Sequence, residues 1–151
     1  MANTHVYLWA LLFVVAACAT SPPSAISSDL LVTKAGGFLV DVQNGKSPGV
    51  KYSMIYSIKR SLETKHFAVF KFENLDPSGA PVVIEQEIQP NDKEIGIQSP
   101  IFPGVKNNKT YRVVATLYSD ATKTKMIGTH VQDVLFRMPA TVLEQFGVRQ
   151  Y

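Results

Sequence analysis

From Leu30 onward, apolar and polar residues alternate with a period of two, and turn-forming residues interrupt the alternation about every ten positions. That period places successive side chains on opposite faces, which is the signature of a half-buried β-strand. Tyr52, Met54, Tyr56 and Ile58 alternate with Ser53, Ile55, Ser57 and Lys59; Val82, Ile84 and Ile88 oppose Val83, Glu85 and Glu87. Leu30 to Val42 reads as a first strand with a bulge or break expected at Gly36-Gly37. Phe67 to Phe72 is more continuously apolar and predicts a central strand, and Glu94 to Gln98 predicts a short one. Tyr111, Val113, Ala115 and Leu117 line one face of the clearest strand, and Met126 to Phe136 returns beside it until Pro139 stops it. Asn44-Gly45, Pro48-Gly49 and Asp76-Pro77-Ser78-Gly79 mark turns. The tail, Ala140 to Phe146, predicts a short helix closed by Gly147. Seven strand-like runs and one terminal helix predict an all-β fold, an antiparallel β-sandwich.

The segment Val105-Lys106-Asn107-Asn108-Lys109-Thr110-Tyr111-Arg112-Val113, followed by Leu117-Tyr118-Ser119-Asp120, resembles the turn and strand of fibronectin type III and related immunoglobulin-like domains. The resemblance implies an immunoglobulin-like sandwich with a tyrosine corner, in which Val105 and Tyr111 act together. The Tyr111 hydroxyl would bond upstream backbone while its ring caps the core. Elsewhere the sequence departs from that pattern. Its only tryptophan, Trp9, precedes the domain, so an aromatic such as Phe70 or Phe72 must fill the core position. With Cys18 as the sole cysteine, no disulfide can join the sheets.

Cys18 carries a different signal. Val6 to Ala17 is twelve residues without a formal charge, about 18 Å of helix against a hydrocarbon core of about 30 Å, too short for a transmembrane span. The run ends in Val15-Ala16-Ala17-Cys18, which resembles the cleavage motif of bacterial lipoprotein precursors. The resemblance implies a signal peptide over 1–17, cut before a cysteine that then carries diacylglyceryl and amide-linked acyl chains. Several such chains anchor stably where one binds only reversibly. Ala19 after the cysteine implies the outer membrane, by similarity to Gram-negative lipoproteins. The n-region holds no Lys or Arg, and Ala17-Cys18-Ala19 is itself an A-x-A site, so cleavage after Ala19 to give a soluble secreted or periplasmic product stays open. Residues 18–28, small and polar with Pro22-Pro23, read as a flexible tether, and 29–151 as the folded domain.

Removing seventeen residues from 151 leaves 134, enough for one domain and enough to bury a core without a disulfide or metal staple. All charged residues lie beyond Cys18, so the formal charge of +3 belongs to the mature part. The densest basic groups, Lys59-Arg60, Lys106 to Lys109 and Lys123 to Lys125, sit at strand ends and turns. They form no contiguous stripe with aromatic platforms, so no nucleic-acid partner is expected. Weak attraction to anionic lipid headgroups is compatible with them.

Catalytic motifs are missing from the sequence: no G-x-S-x-G, H-E-x-x-H, Walker or dinucleotide glycine pattern occurs. His66 and His130 have no second His or Cys at ligand spacing, although either could in principle join Asp133 or Glu85 around zinc. Glu85 and Glu87, two apart on one strand face, read as solvent-facing rather than as a glycosidase pair. No catalytic residue, metal or cofactor is therefore expected. Two features suit binding: a sheet edge open to β-augmentation, and the Gln89 to Gly104 segment. In that segment Ile101 and Phe102 either meet a partner or plug the open end of the sandwich. The sequence is best read as a membrane-anchored envelope lipoprotein with a binding or assembly role, facing the periplasm or cell surface. A soluble secreted binding module, adhesin-like or inhibitory, and an enzyme of unrecognised type on a β scaffold are the alternatives.

Overall fold

A computed structural model describes residues 30–42 and 47–151. The predicted signal peptide, Val15, Ala16, Ala17, Cys18 and the 18–28 segment lie outside the described residues. The alternating runs become strands β1 (Leu31–Asp41), β2 (Gly49–Ile58), β3 (His66–Phe72), β4 (Val82–Ile88) and β5 (Glu94–Gln98). They continue as the two-residue β6 (Gly104–Val105), then β7 (Lys109–Tyr118), β8 (Met126–Phe136), helix α1 (Ala140–Gln145) and β9 (Arg149–Gln150). Two antiparallel sheets carry the fold, one of order β1-β2-β5 and one of order β4-β3-β7-β8. This is an all-β sandwich, with the second and fifth strands in one sheet and the third, seventh and eighth in the other.

The inward positions are those the period-two pattern assigns. Tyr52, Met54 and Tyr56 of β2 are buried, as are Ala68, Phe70 and Phe72 of β3 and Tyr111, Val113, Ala115 and Leu117 of β7. Aromatic rings fill the space between the sheets: Tyr52 lies 4.7 Å from Phe38 and 5.0 Å from Phe72, and Tyr56 stacks on Phe70 at 5.6 Å. Phe70 and Phe72 thus occupy the centre that lacks a tryptophan. Burying a side chain of this size contributes about 1.5–3 kcal/mol, so the aromatic layer supplies much of what a cross-link would otherwise add.

One local expectation is corrected. The irregularity of β1 falls between Thr33 and Ala35, whereas Gly36 and Gly37 pair in register with Met54 and Ser53. Gly36 answers a packing need: a Cβ there would meet Met54 Cε at 2.6 Å and Met54 Sδ at 2.9 Å. The β6–β9 pair is absent from the sequence pattern, since two residues are too few to show a period; it runs parallel and joins the C-terminal tail to the segment before β7. Between them α1 ends with Gly147 at φ +68°, where the Gly147 and Val148 N–H groups donate to the Glu144 and Leu143 carbonyls, both at 2.9 Å. That is a Schellman cap, and its accompanying apolar residues, Leu143 and Val148, are both buried.

The sandwich has two poles. At one lie the β2–β3, β4–β5 and β7–β8 connections and the start of β1; at the other lie the β3–β4 turn, the 99–108 segment and the C-terminal helix. The first is called here the proximal pole, because the chain enters the sandwich there.

Candidate functional site

The residues singled out from sequence fall into three environments. At the distal pole, Tyr111 is buried beside Val105; its hydroxyl accepts from the Lys106 N–H at 2.9 Å and donates to the Lys106 carbonyl at 3.1 Å. Burial raises the Tyr111 pKa, the Glu73 and Tyr151 charges add to that, and the Lys106 hydrogen bond and Lys109 act against it. Lys109 Nζ sits 4.6 Å over the ring. This corner is architecture. So is Phe102, which is buried, faces Tyr52 at 6.1 Å and exchanges both backbone hydrogen bonds with Val50. Only Ile101 of that pair stays exposed, so Phe102 is withdrawn from any partner and plugs the distal end of the core.

The histidines are separated. His66 opens β3, with its Nδ1 2.6 Å from the Thr64 carbonyl. His130 lies on β8, half-buried, edge-on to Tyr56 and 2.9 Å from Thr33 Oγ1. Thr33 also donates to Gln132 at 2.5 Å, so this threonine of β1 seams the first sheet to the second. Burial lowers the His130 pKa. The neighbouring Tyr56 hydroxyl is buried without a hydrogen-bond partner among the described residues, and burial pushes its pKa up. Among the described residues no group of three or more His, Cys, Asp or Glu is placed to hold a metal ion.

Two of the four edges of the antiparallel sheets, β4 and β5, are guarded. β4 presents Glu85 and Glu87 outward, paired with Lys123 and with Lys65 (2.8 Å). β5 is five residues long, and its Glu94 pairs with Lys34. Charge and short length both discourage strand addition.

The outer face of the four-stranded sheet is the most structured surface. Register aligns Val131, Val114, Lys71 and Val83 in one row across β8, β7, β3 and β4, and Asp133 with Arg112 in the next. Arg112 donates from Nε to Asp133 at 2.9 Å, and its backbone N–H donates to Glu73 at 2.9 Å. Glu73 also receives Lys109 Nζ at 2.7 Å. Two shallow depressions of about 290 and 230 Å³ adjoin here and share Glu73 and Arg112. Burial alone would raise the Glu73 pKa, but the Lys109 and Arg112 hydrogen bonds and charges bring it below the usual value. Arg112 likewise lowers Asp133. Both carboxylates are thereby stabilised in their anionic form. On the same sheet Val83 of β4 and Val131 and Leu135 of β8 are each about half exposed (54, 45 and 56%).

Sequence reasoning named Asp133 only as a conceivable zinc partner and passed over Glu73 and Arg112. Their outward positions were legible from alternation. Their mutual proximity depends on the β3–β7–β8 register, which no local pattern encodes. Compared with models of protein families and with curated proteins, the chain matches none. Among the described residues no helix is long and apolar enough to cross a membrane.

Proposed function

We propose that this chain is an envelope lipoprotein: lipid on Cys18 anchors it, residues 18–28 tether it, and the sandwich binds or assembles with a partner without catalysis. The Val15-Ala16-Ala17-Cys18 motif after a short uncharged apolar run is the observation that carries the reading. In support, the tether residues lead directly into Leu30, whose carbonyl already accepts the Lys59 N–H at 2.9 Å. The outer sheet face supplies the recognition surface, with Arg112 at its centre; arginine within a partly apolar patch is a common energetic anchor of protein interfaces.

The test is intact mass and membrane fractionation of the full-length chain expressed in a Gram-negative host, beside Cys18→Ser. An acyl-sized mass increment and membrane association that both vanish in Cys18→Ser support the anchor. An unmodified soluble product beginning at Thr20 replaces it with the secreted binding module.

A further inference from the structure

At the proximal pole, Lys59, Arg60 and Lys93 line one recess of about 300 Å³, together with Ser61, Asn91 and Asp92. Its walls are the β2–β3 and β4–β5 connections, and backbone hydrogen bonds hold these together. Asn91 N–H donates to the Leu62 carbonyl at 2.9 Å, and Ile58 N–H to the Lys93 carbonyl at 2.8 Å. The Ser61 hydroxyl donates to Asn91 Oδ1 at 3.1 Å, and Asn91 adopts φ +66° to make the corner. The recess is therefore formed before any ligand arrives.

Its charge is unbalanced. Three other lysines of this pole are paired: Lys34 with Glu94, Lys65 with Glu87, Lys123 with Glu85. These pairings occupy three of the acids around this pole, and no ion pair to Lys59, Arg60 or Lys93 forms among the described residues. Asp92 is the one acid in the wall, and its Oδ2 accepts the Gln89 N–H at 2.9 Å. Three cations against one carboxylate leave the recess with a net charge of +2. A guanidinium and two ammonium groups suit an anion with several acceptor oxygens, and a volume near 300 Å³ is at the small end of ligand sites.

We propose that this recess binds phosphate-bearing anions, and that its occupant is the phosphodiester headgroup of an anionic lipid. The choice of headgroup over free phosphate rests on the anchored reading above. The recess opens at the pole where the chain enters, and residues 18–29 span at most about 40 Å even when fully extended. A lipid on Cys18 would keep this pole close to the bilayer, where each basic side chain adds attraction that fades within a Debye length.

The test uses the protein as processed by a Gram-negative host, with acylation read separately by intact mass. Amide hydrogen exchange of segments 58–65 and 89–95 is followed with inorganic phosphate, with vesicles of equal parts phosphatidylglycerol and phosphatidylethanolamine, and with phosphatidylcholine vesicles. The expected result is slowed exchange in both segments with phosphate and with the phosphatidylglycerol vesicles, reversed by high salt. The triple variant Lys59→Ser/Arg60→Ser/Lys93→Ser should weaken binding by about fivefold per cation removed. A control with the same charge change at the distal pole, Lys106→Ser/Arg137→Ser/Arg149→Ser, should retain it. Equal losses in the two variants, or no protection under any condition, overturn the site. Protection by phosphate without protection by phosphatidylglycerol vesicles overturns the headgroup assignment and leaves a free anion as the ligand. An unacylated mass with intact protection removes the anchor but not the recess.

Discussion

The two poles of this sandwich solve opposite problems. The distal pole is closed by apolar side chains drawn from four separate segments: Leu75 after β3, Phe102 before β6, Tyr111 on β7, and Leu143 and Val148 around the terminal helix, all buried. The proximal connections bury Leu62 alone and are otherwise held by polar turn contacts, such as Asp120 accepting from the Thr122 N–H at 2.9 Å. Packing makes the distal end rigid. Three cations without an ion pair among the described residues give the proximal end its proposed anion selectivity. The apolar closure and the proposed anion site thus lie at opposite ends of one core, so residues at one end can be altered with little effect at the other.

The largest contrast should come from Tyr111. Tyr111→Ala removes a buried ring and should cost about 3–5 kcal/mol in urea unfolding, a large share of a single domain's stability. Tyr111→Phe removes only the hydroxyl that serves Lys106 and should cost about 1–2 kcal/mol. Arg60→Ser at the proximal pole should stay within about 0.5 kcal/mol of the parent. Comparable losses from Tyr111→Ala and Arg60→Ser would erase the distinction between the poles. The adjacent pair Ile101 and Phe102 sharpens it within one segment: Phe102→Ala should cost about 3 kcal/mol, and Ile101→Ser should leave the urea midpoint nearly unchanged.

A smaller effect is expected at the seam between β1 and β8. Burial lowers the His130 pKa, so the unfolded chain binds its proton more readily than the folded one. The stability contributed by neutral His130 is therefore full above its ordinary value of 6.5 and is lost as pH falls through that value toward the lower folded one. The urea midpoint should decline between about pH 7.5 and pH 5.5, and His130→Gln should flatten that decline. The same slope in His130→Gln would assign it to other groups.

Much of this was readable in the chain. Tyr52, Met54 and Tyr56 declared their common face by spacing alone, and Gly147 declared the helix end because only its left-handed backbone completes the cap. Tyr111 and Val105 declared the corner through a local spacing of six. What escaped was set by distance in sequence. Gly36 suggests a strand break until Met54 is seen against it; Phe102 is ambiguous until Val50 pairs with it. The Glu73–Arg112–Asp133 grid and the Lys59–Arg60–Lys93 recess both join residues more than twenty positions apart. Alternation shows which way a strand residue points, and only register shows which residue it meets.

The orientation of the poles is the claim that links anchor, recess and core. It is tested by fluorophores placed singly at Arg60→Cys and at Lys106→Cys in the acylated protein reconstituted into vesicles containing a headgroup-attached quencher. Strong quenching at position 60 and little at 106 is the predicted result. Equal quenching at both sites, or stronger quenching at 106, would contradict a sandwich held with its proximal pole against the membrane.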